Sequence, residues 1–272
     1  MDGRAETGVA ELADGTRIGW RMWNAAPGLP CVALIHSLAL DGGMWEGVAD
    51  ELKDRAQLLA IDCRGHGRSS AAPGPYTTSL MADDLAAVME KLRLPASVIV
   101  GCSMGGCVAQ DFAARHPGRT AGLVLVDTTA WYGPDAPKAW RDRADTARRD
   151  GMAALSAFQA ERWFTKAFNE ARPEVLRHWL GVFAGNDTEC YAASCAMLGG
   201  ADLRPLLSRI AAPTTVLVGE QDAATPPSMA RALANGIGGA RLELIGGAKH
   251  LSPIECPAPV AAAIAALLET NS

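Results

Sequence analysis

The sequence predicts an α/β fold in which a mostly parallel sheet is covered by helices on both faces. Short, nearly continuous apolar runs alternate along the chain with segments of helical periodicity. Continuous apolar runs are typical of strands buried on both faces, and alternation of strand and helix produces the crossovers of parallel sheets. Residues 131–203 show helical patterns only, which predicts an insertion into this sheet.

The first two predicted strands, residues 9–12 and 17–23, flank Asp14-Gly15, a dipeptide that favours a hairpin turn. Six further apolar runs predict strands at residues 31–36, 58–62, 97–102, 122–127, 215–219 and 242–245. Helical patterns lie at residues 45–53, 78–92, 104–116, 228–237 and 259–268. Together these elements predict an eight-stranded sheet flanked by helices.

The insertion follows the sixth predicted strand and divides the chain into two parts. The core would comprise residues 1–130 and 204–272, and the insertion residues 131–203. Apolar residues recur there at helical spacings in residues 138–149, 152–164, 173–183 and 189–197. Ten of the chain's fifteen aromatic side chains lie between Trp131 and Tyr191. We expect some to form a core of the insertion and others to roof a substrate pocket.

Composition and charge exclude several classes of protein. Of 272 residues, 49% are hydrophobic and 20% charged, which allows a sizeable buried core. A net charge of −5 argues against a nucleic-acid partner. No apolar run approaches the ~20 residues of a membrane span, and the N-terminal residues form no apolar signal core. Seven cysteines without paired spacing predict free thiols, no metal site and a cytoplasmic location.

A reactive serine is predicted in Gly101-Cys102-Ser103-Met104-Gly105, which matches the pattern G-x-S-x-G. The motif follows an apolar strand and opens a helical pattern, the context in which this pattern has catalytic meaning. A serine on such a turn is held in a strained conformation, and its hydroxyl stands clear of the backbone. We therefore interpret Ser103 as a nucleophile.

A serine hydroxyl is a weak nucleophile at neutral pH and needs a base. Of the five histidines only His178 and His250 follow Ser103, and only His250 lies in a loop after a predicted strand. Because nucleophile, acid and histidine occur in that order in serine hydrolases of this type, His250 is the predicted base. The alternative is a loop histidine bonded to the backbone only.

The base needs an acid that fixes its tautomer and stabilises the imidazolium. Asp222 follows the predicted strand 215–219 and is our candidate. Glu220 and Asp127 compete with it, because each also lies at or just after the end of a predicted strand. Helix capping is the non-catalytic alternative for an aspartate at such a position.

Acyl transfer also needs N–H donors for the carbonyl oxygen that becomes negative. The N–H of Met104, the residue after the nucleophile, is one predicted donor. The other is the N–H of Leu38, in the loop after strand 31–36. Since main-chain donation leaves side-chain identity uninformative, ordinary loop packing remains the alternative role for Leu38.

These motifs resemble the α/β-hydrolase superfamily over nearly the whole chain. The resemblance is carried by residues 34–37, 62–69, 101–106, 219–222 and 247–250. It implies the α/β-hydrolase fold with a helical cap, and it gives Ser103, Asp222 and His250 as nucleophile, acid and base. The chain departs from the family at Ser37, where glycine is usual.

Within the superfamily the chain most resembles the 3-oxoadipate enol-lactonases, through residues 36–38, 103–106, 161–165, 191–195, 201–204 and 225–227. This resemblance implies hydrolysis of a small carboxylated enol-lactone in aromatic catabolism, without cofactor or metal. Arg162, beside Trp163, is then the candidate that binds the substrate carboxylate. The alternative for Arg162 is a surface ion pair on a helix.

Two other functions stay open at this point. A broader carboxylesterase or an acyl-homoserine-type lactonase would use the same three residues with a different pocket. A ligand receptor would keep the fold with little turnover. Dehalogenation is disfavoured because the nucleophile position holds Ser103 rather than aspartate, whereas a cofactor-free peroxidase side reaction would use the same residues.

Overall fold

The computed structural model describes residues 5–26 and 28–270. Within them, eight strands form a sheet of order β1-β2-β4-β3-β5-β6-β7-β8. The strands are β1 (Glu6–Glu11), β2 (Arg17–Trp23), β3 (Cys31–Ile35), β4 (Gln57–Ile61), β5 (Ser97–Cys102), β6 (Thr120–Val126), β7 (Thr214–Gly219) and β8 (Arg241–Ile245). β2 pairs antiparallel with β1 and β4, and all other pairs are parallel. The predicted fold class is confirmed.

The helices before the insertion are α1 (Glu46–Glu51), which follows a 3₁₀ turn at Gly42–Trp45, α2 (Thr78–Lys91) and α3 (Met104–Arg115). The central strands are buried throughout: every residue of β3, β5 and β7 is buried. Two-sided burial explains why these strands read as continuous apolar runs.

Between β6 and β7 the chain forms α4 (Ala136–Asp150), α5 (Ser156–Trp163), α6 (Lys166–Ala171), α7 (Pro173–Ala184) and α8 (Thr188–Gly200). The predicted helix 152–164 was wrong as a single element. Gly151, at φ 81°, ends α4, and a 3₁₀ turn at Met152–Leu155 precedes α5. Helix α6 was not predicted, because six residues are too few for a helical period to show.

Aromatic side chains form the interior of this insertion. The rings of Trp163 and Tyr191 each pack edge-on against Phe183, with centroids 5.7 Å away. Phe164 is fully buried and lies 4.9 Å from the ring of Phe168. Such pairs add to the stabilisation that burial alone provides. The cluster of aromatic residues in the sequence therefore corresponds in part to packing among the helices of the insertion, within the hydrophobic core that also contains the sheet.

After the insertion come α9 (Arg204–Leu207), α10 (Pro227–Gly236), α11 (Ser252–Glu255) and α12 (Pro257–Thr270). The expectation that the last strand is buried on both faces was wrong. β8 pairs with β7 and lies at the edge of the sheet, and Leu244 is 47% exposed. A short strand with charged side chains, Arg241 and Glu243, is typical of a sheet edge.

All seven cysteines lie in the described residues and have free thiols. In the same residues no helix is long and apolar enough to cross a membrane. The parallel strands β3, β5, β6, β7 and β8 end at the same edge of the sheet, so the loops after them meet there. That edge carries the residues that the sequence singles out.

Candidate active site

Ser103 lies on a sharp turn between β5 and α3. Its backbone has φ 53° and ψ −114°, a region that L-residues with a side chain adopt only under strain. Two glycines make the turn possible: a Cβ at Gly101 would collide with the carbonyl of Gly105, and one at Gly105 with the carbonyl of Ile35. The N–H of Ser103 donates to the Val126 carbonyl at 3.0 Å. These contacts fix the conformation of the turn.

His250 lies in the loop after β8, with its Nε2 2.9 Å from the Oγ of Ser103. Its Nδ1 lies 2.8 Å from Oδ2 of Asp222, in the turn after β7. With the proton on Nδ1, the ring donates to Asp222 and accepts from the Ser103 hydroxyl. The structure thus brings together the three residues from three separate loops. This is the geometry that lets an imidazole deprotonate a serine.

The carboxylate of Asp222 is held by further donors in its own turn. Its Oδ1 accepts from the N–H groups of Ala224, at 2.7 Å, and Thr225, at 3.1 Å. Its Oδ2 also accepts from the Thr225 hydroxyl at 2.9 Å. These bonds orient the carboxylate toward the imidazole, so Thr225 is a supporting residue that the sequence did not single out.

The pKa values of this pair move in opposite directions. Burial favours the neutral form of Asp222, but the charge of His250 and hydrogen bonds from His250 and Thr225 outweigh it and lower the pKa of the carboxyl. Burial also opposes charging of His250, but the charge and hydrogen bond of Asp222, with a smaller contribution from Asp127, raise the pKa of the imidazole. Each group therefore stabilises the charged form of the other.

Neither of the two competing acids hydrogen-bonds to His250. Glu220 is exposed, and Asp127 is fully buried with its carboxylate bonded to Gly219 and Ser252. Among the candidate acids only Asp222 hydrogen-bonds to His250 in the described part of the chain. The other late histidine, His178, is exposed on α7 and packs against Trp179.

The predicted oxyanion donors flank the serine. Leu38 lines the same cavity as Ser103, and Met104 is the first residue of α3. Neither N–H has an acceptor within residues 5–26 and 28–270. In the Leu38 loop the left-handed residue is Ala39, at φ 58°, whereas Ser37 has no positive φ. Since Ser37 needs no left-handed backbone, this position does not require glycine.

A cavity of about 300 Å³ opens above Ser103. The sheet edge contributes Leu38, Thr225 and His250, and the insertion contributes Tyr132, Trp140, Phe158, Arg162 and Trp163 among others. This volume is at the small end of ligand pockets and suits a compact molecule. A larger groove of about 860 Å³ beside α4 and α8 is lined by none of the predicted site residues.

Two guanidinium groups line the insertion side of this cavity. Their central carbons lie over the ring of Phe158, Arg143 at 5.0 Å and Arg162 at 4.8 Å. In the described residues neither forms a salt bridge, and the buried Nε of Arg143 has no hydrogen-bond partner. Burial, and then the charge of Arg143, lowers the pKa of Arg162. Arg162 is therefore not a surface ion pair, and the two guanidinium groups outnumber the one carboxylate among the lining residues, that of Asp135.

Sequence reasoning expected aromatic residues of the insertion to roof the pocket without singling out Tyr132, Trp140 or Phe158, and it missed Arg143 as a lining residue. Arg143 lies in a stretch with Arg141, Arg148 and Arg149, which is typical of a solvated helix face. The available signal was the spacing of three between Trp140 and Arg143, which places both on one face of α4. There the Arg143 guanidinium packs over the Trp140 ring at 4.5 Å.

Within the described residues, no group of three or more His, Cys, Asp and Glu side chains has the arrangement of a metal site. The chemistry available at this edge of the sheet is that of a serine, an imidazole, a carboxylate and free backbone N–H groups.

A family model described as the alpha/beta hydrolase fold matches residues 30–257. The chain therefore belongs to the α/β-hydrolase fold family.

Comparison with similar proteins indicates the type of reaction that this chain catalyses. The chain is 32% identical over 240 residues to "3-oxoadipate enol-lactonase 2" of Acinetobacter baylyi, covering 88% of this chain and 89% of the relative. The enol-lactonase structure from Burkholderia xenovorans LB400 superposes with a TM-score of 0.91 at 35% identity, covering 96% of this chain and 100% of that one. A thermophilic esterase from Thermogutta terrifontis, solved with malate bound, gives 0.88 at 33% identity, over 98% and 99% of the two chains. The chain is a hydrolase of esters or lactones.

Proposed function

We propose that this hydrolase works through an acyl-enzyme on Ser103, with His250 as general base and acid and Asp222 as the residue that orients the imidazole. The supporting observation is the pair of short contacts at His250, 2.9 Å to Ser103 and 2.8 Å to Asp222. The N–H groups of Leu38 and Met104 stabilise the oxyanion. The mechanism needs no cofactor or metal.

The reaction runs in two halves. His250 takes the Ser103 hydroxyl proton as Oγ attacks the lactone carbonyl, and the C–O bond of the ring then breaks. The leaving oxygen is an enolate, which receives the proton from His250 and tautomerises to a ketone. Water, deprotonated by His250, then attacks the acyl-serine, and the proton returns to Ser103 as the acid leaves.

The substrate that we propose is a small enol-lactone with a carboxylate, specifically 3-oxoadipate enol-lactone in aromatic catabolism. Two of the three similar proteins described above carry the name enol-lactonase. The observation that carries the proposal is the pair Arg143 and Arg162, which face the cavity without a carboxylate partner in the described residues. A guanidinium in a partly dry site favours a carboxylate, which it binds through two hydrogen bonds. The similar esterase with malate bound is a further case of an anionic ligand on a related fold.

Residues 131–203 would act as the cap that selects this substrate. Their ends meet at the bridge between Trp131 and Asp202, and α4 and α5 supply the aromatic and cationic wall of the cavity. A rigid aromatic wall excludes water and leaves room for a compact ring.

The test is turnover of three substrates by the wild-type protein: 3-oxoadipate enol-lactone, p-nitrophenyl acetate and an N-acyl homoserine lactone. We expect kcat/KM for the enol-lactone to exceed the others by about 100-fold or more. A preference for the neutral ester or the acyl homoserine lactone would instead support the broader esterase or lactonase that the esterase likeness also allows. Binding of all three without turnover would identify a receptor.

A further inference from the structure

Asp127 is a second buried carboxylate next to the site. It follows β6 directly, has φ 47° and is completely inaccessible to solvent. A buried carboxylate is costly unless donors satisfy it, and a positive φ at a residue with a side chain adds strain. Such a combination persists only where the surrounding structure holds the residue in place.

The donors to Asp127 come from the two loops that carry the acid and the base. Its Oδ1 accepts from the N–H of Gly219 at 2.9 Å, three residues before Asp222. Its Oδ2 accepts from the N–H of Ser252 at 3.0 Å and the Ser252 hydroxyl at 2.7 Å, two residues after His250. One carboxylate therefore joins the Asp222 turn to the His250 loop.

The end of β6 also contacts the nucleophile. Val126, the residue before Asp127, accepts the N–H of Ser103, and the N–H of Asp127 donates to the carbonyl of Leu217 at 2.9 Å. The turn of Ser103, the Asp222 turn and the His250 loop are therefore all hydrogen-bonded to the end of β6, through Val126 and Asp127.

Four titratable groups face Asp127: Asp222 in the acid turn, His250 in the base loop, and the thiols of Cys102 and Cys256. Burial, and then repulsion from Asp222, raises the pKa of Asp127 to about 7. His250 in turn faces Asp222, Asp127 and Arg162, and Asp127 favours its charged form. Asp127 therefore acts on the imidazole by charge as well as by position.

We propose that Asp127 is a positioning residue that fixes the Asp222 turn relative to the His250 loop and whose negative charge stabilises the imidazolium formed during the reaction. This inference rests on the proposed roles of Ser103, Asp222 and His250. It concerns a residue that touches neither the substrate nor the reacting atoms.

The test variant is Asp127→Asn, which keeps the size of the side chain and removes its charge. Hydrolysis of p-nitrophenyl acetate is followed from pH 5 to 9. We expect kcat to fall about tenfold or more with KM little changed, because the His250 imidazole is held less firmly and no longer has the Asp127 carboxylate near it. We also expect the acidic limb of kcat/KM to move to lower pH, because in the wild type Asp127 ionises near pH 7 and its charge then raises the pKa of His250, whereas the variant lacks that charge.

Two further variants separate charge, position and fold. Ser252→Ala keeps the carboxylate and removes one bond, so we expect kcat to fall a few-fold with the acidic limb unmoved. Asp111→Asn is the matched control, since Asp111 is also buried and accepts from the Thr78 and Ser79 hydroxyls at 2.6 and 3.0 Å, on the far part of α3. It should lower the melting temperature and leave kcat and the acidic limb at wild-type values.

The inference is overturned if Asp127→Asn folds and both its kcat and the acidic limb of its pH profile equal those of the wild type. If Asp127→Asn does not fold, Ser252→Ala becomes the test, and a kcat of Ser252→Ala equal to that of the wild type overturns the inference. A shift of the acidic limb in Asp111→Asn equal to that in Asp127→Asn also overturns it. Absence of turnover by the wild-type protein would instead contradict the proposed function, so the two failures are distinct.

Discussion

Lys249, the residue before His250, donates a hydrogen bond from its ammonium to the carbonyl oxygen of Glu161 at 2.7 Å. Glu161 lies in the last turn of α5, where carbonyl groups attract cations. The N–H of Leu251 donates to the Trp163 carbonyl at 3.1 Å, and Glu255 accepts from the Thr165 N–H at 2.8 Å. The loop that holds the base is therefore bonded to the insertion on both sides of the histidine.

The hydroxyl of Ser103 is the group whose removal should cost most. We expect Ser103→Ala to lower kcat on the order of 10³-fold or more with KM little changed, because the acyl-enzyme cannot form. Steady-state hydrolysis of p-nitrophenyl acetate measures this. Ser97→Ala is the matched control, since Ser97 is a buried serine at the other end of β5. Near-wild-type turnover by Ser103→Ala would contradict the mechanism.

The pH profile tests the pairing of His250 with Asp222. The imidazole must be neutral to act as a base, so kcat/KM rises as pH passes the pKa of His250. Because Asp222 raises that pKa, we expect the wild-type midpoint above about 6.5, the value of free histidine. In Asp222→Asn we expect the midpoint to move down and kcat to fall on the order of 10⁴-fold. An unmoved midpoint would exclude Asp222 as the partner.

Arg143 and Arg162 should affect charged substrates only. For a carboxylated enol-lactone we expect Arg143→Gln and Arg162→Gln each to raise KM about ten- to 100-fold, since a hydrogen bond to a charged group contributes roughly 1.5–3 kcal/mol. Turnover of neutral p-nitrophenyl acetate should change little. Arg148→Gln is the control, because Arg148 pairs with Glu189 away from the cavity, at 2.6 Å. Equal losses on both substrates would point to a structural role instead.

The nucleophile turn should not tolerate a side chain at Gly105. Its Cβ would collide with the Ile35 carbonyl, which lies in the backbone of a buried strand and cannot move cheaply. We expect Gly105→Ala to destabilise the fold by more than about 2 kcal/mol, as measured by urea unfolding. Gly181→Ala, in open space on α7, should instead stabilise it by about 0.5–1 kcal/mol. Equal stability of the two variants would contradict this account of the turn.

Asp127 should leave a signature in stability as well. Its folded pKa of about 7 exceeds the ordinary 3.8, so the folded chain binds this proton more tightly than the unfolded chain. This tighter proton binding contributes fully to the free energy of unfolding below about pH 4, and the contribution is lost as pH rises through about 7. We expect the melting temperature of the wild type to fall, relative to Asp127→Asn, across that window. Parallel curves would show that the carboxyl titrates normally.

The sheet and the candidate residues of the core could be predicted because each has a local cause. Two-sided burial makes β3, β5 and β7 continuous apolar runs, and the turn at Ser103 requires Gly101 and Gly105 in its own sequence. The loops with Asp222 and His250 follow strands, and parallel pairing brings their ends together.

The features that sequence reasoning missed depend on contacts between distant segments. In the sequence Arg143 looks like the other arginines of α4, and only the packing of α4 against Phe158 shows that it lines the cavity. The exposure of β8 follows from its place at the sheet edge, which a run of apolar residues does not reveal. The role of Asp127 depends on Ser252, which is 125 residues further along the chain.

The bonds from Lys249 and Leu251 to the insertion bear on how a substrate enters. If the insertion swung outward as a rigid flap, those bonds would break and the loop that carries His250 would lose its support. Entry of substrate with the insertion in place preserves these bonds, and the side chain of Phe158, which lines the cavity, is 41% exposed. A change of specificity would then come from substitution of the side chains that line the cavity, with the bonds between the insertion and the His250 loop kept.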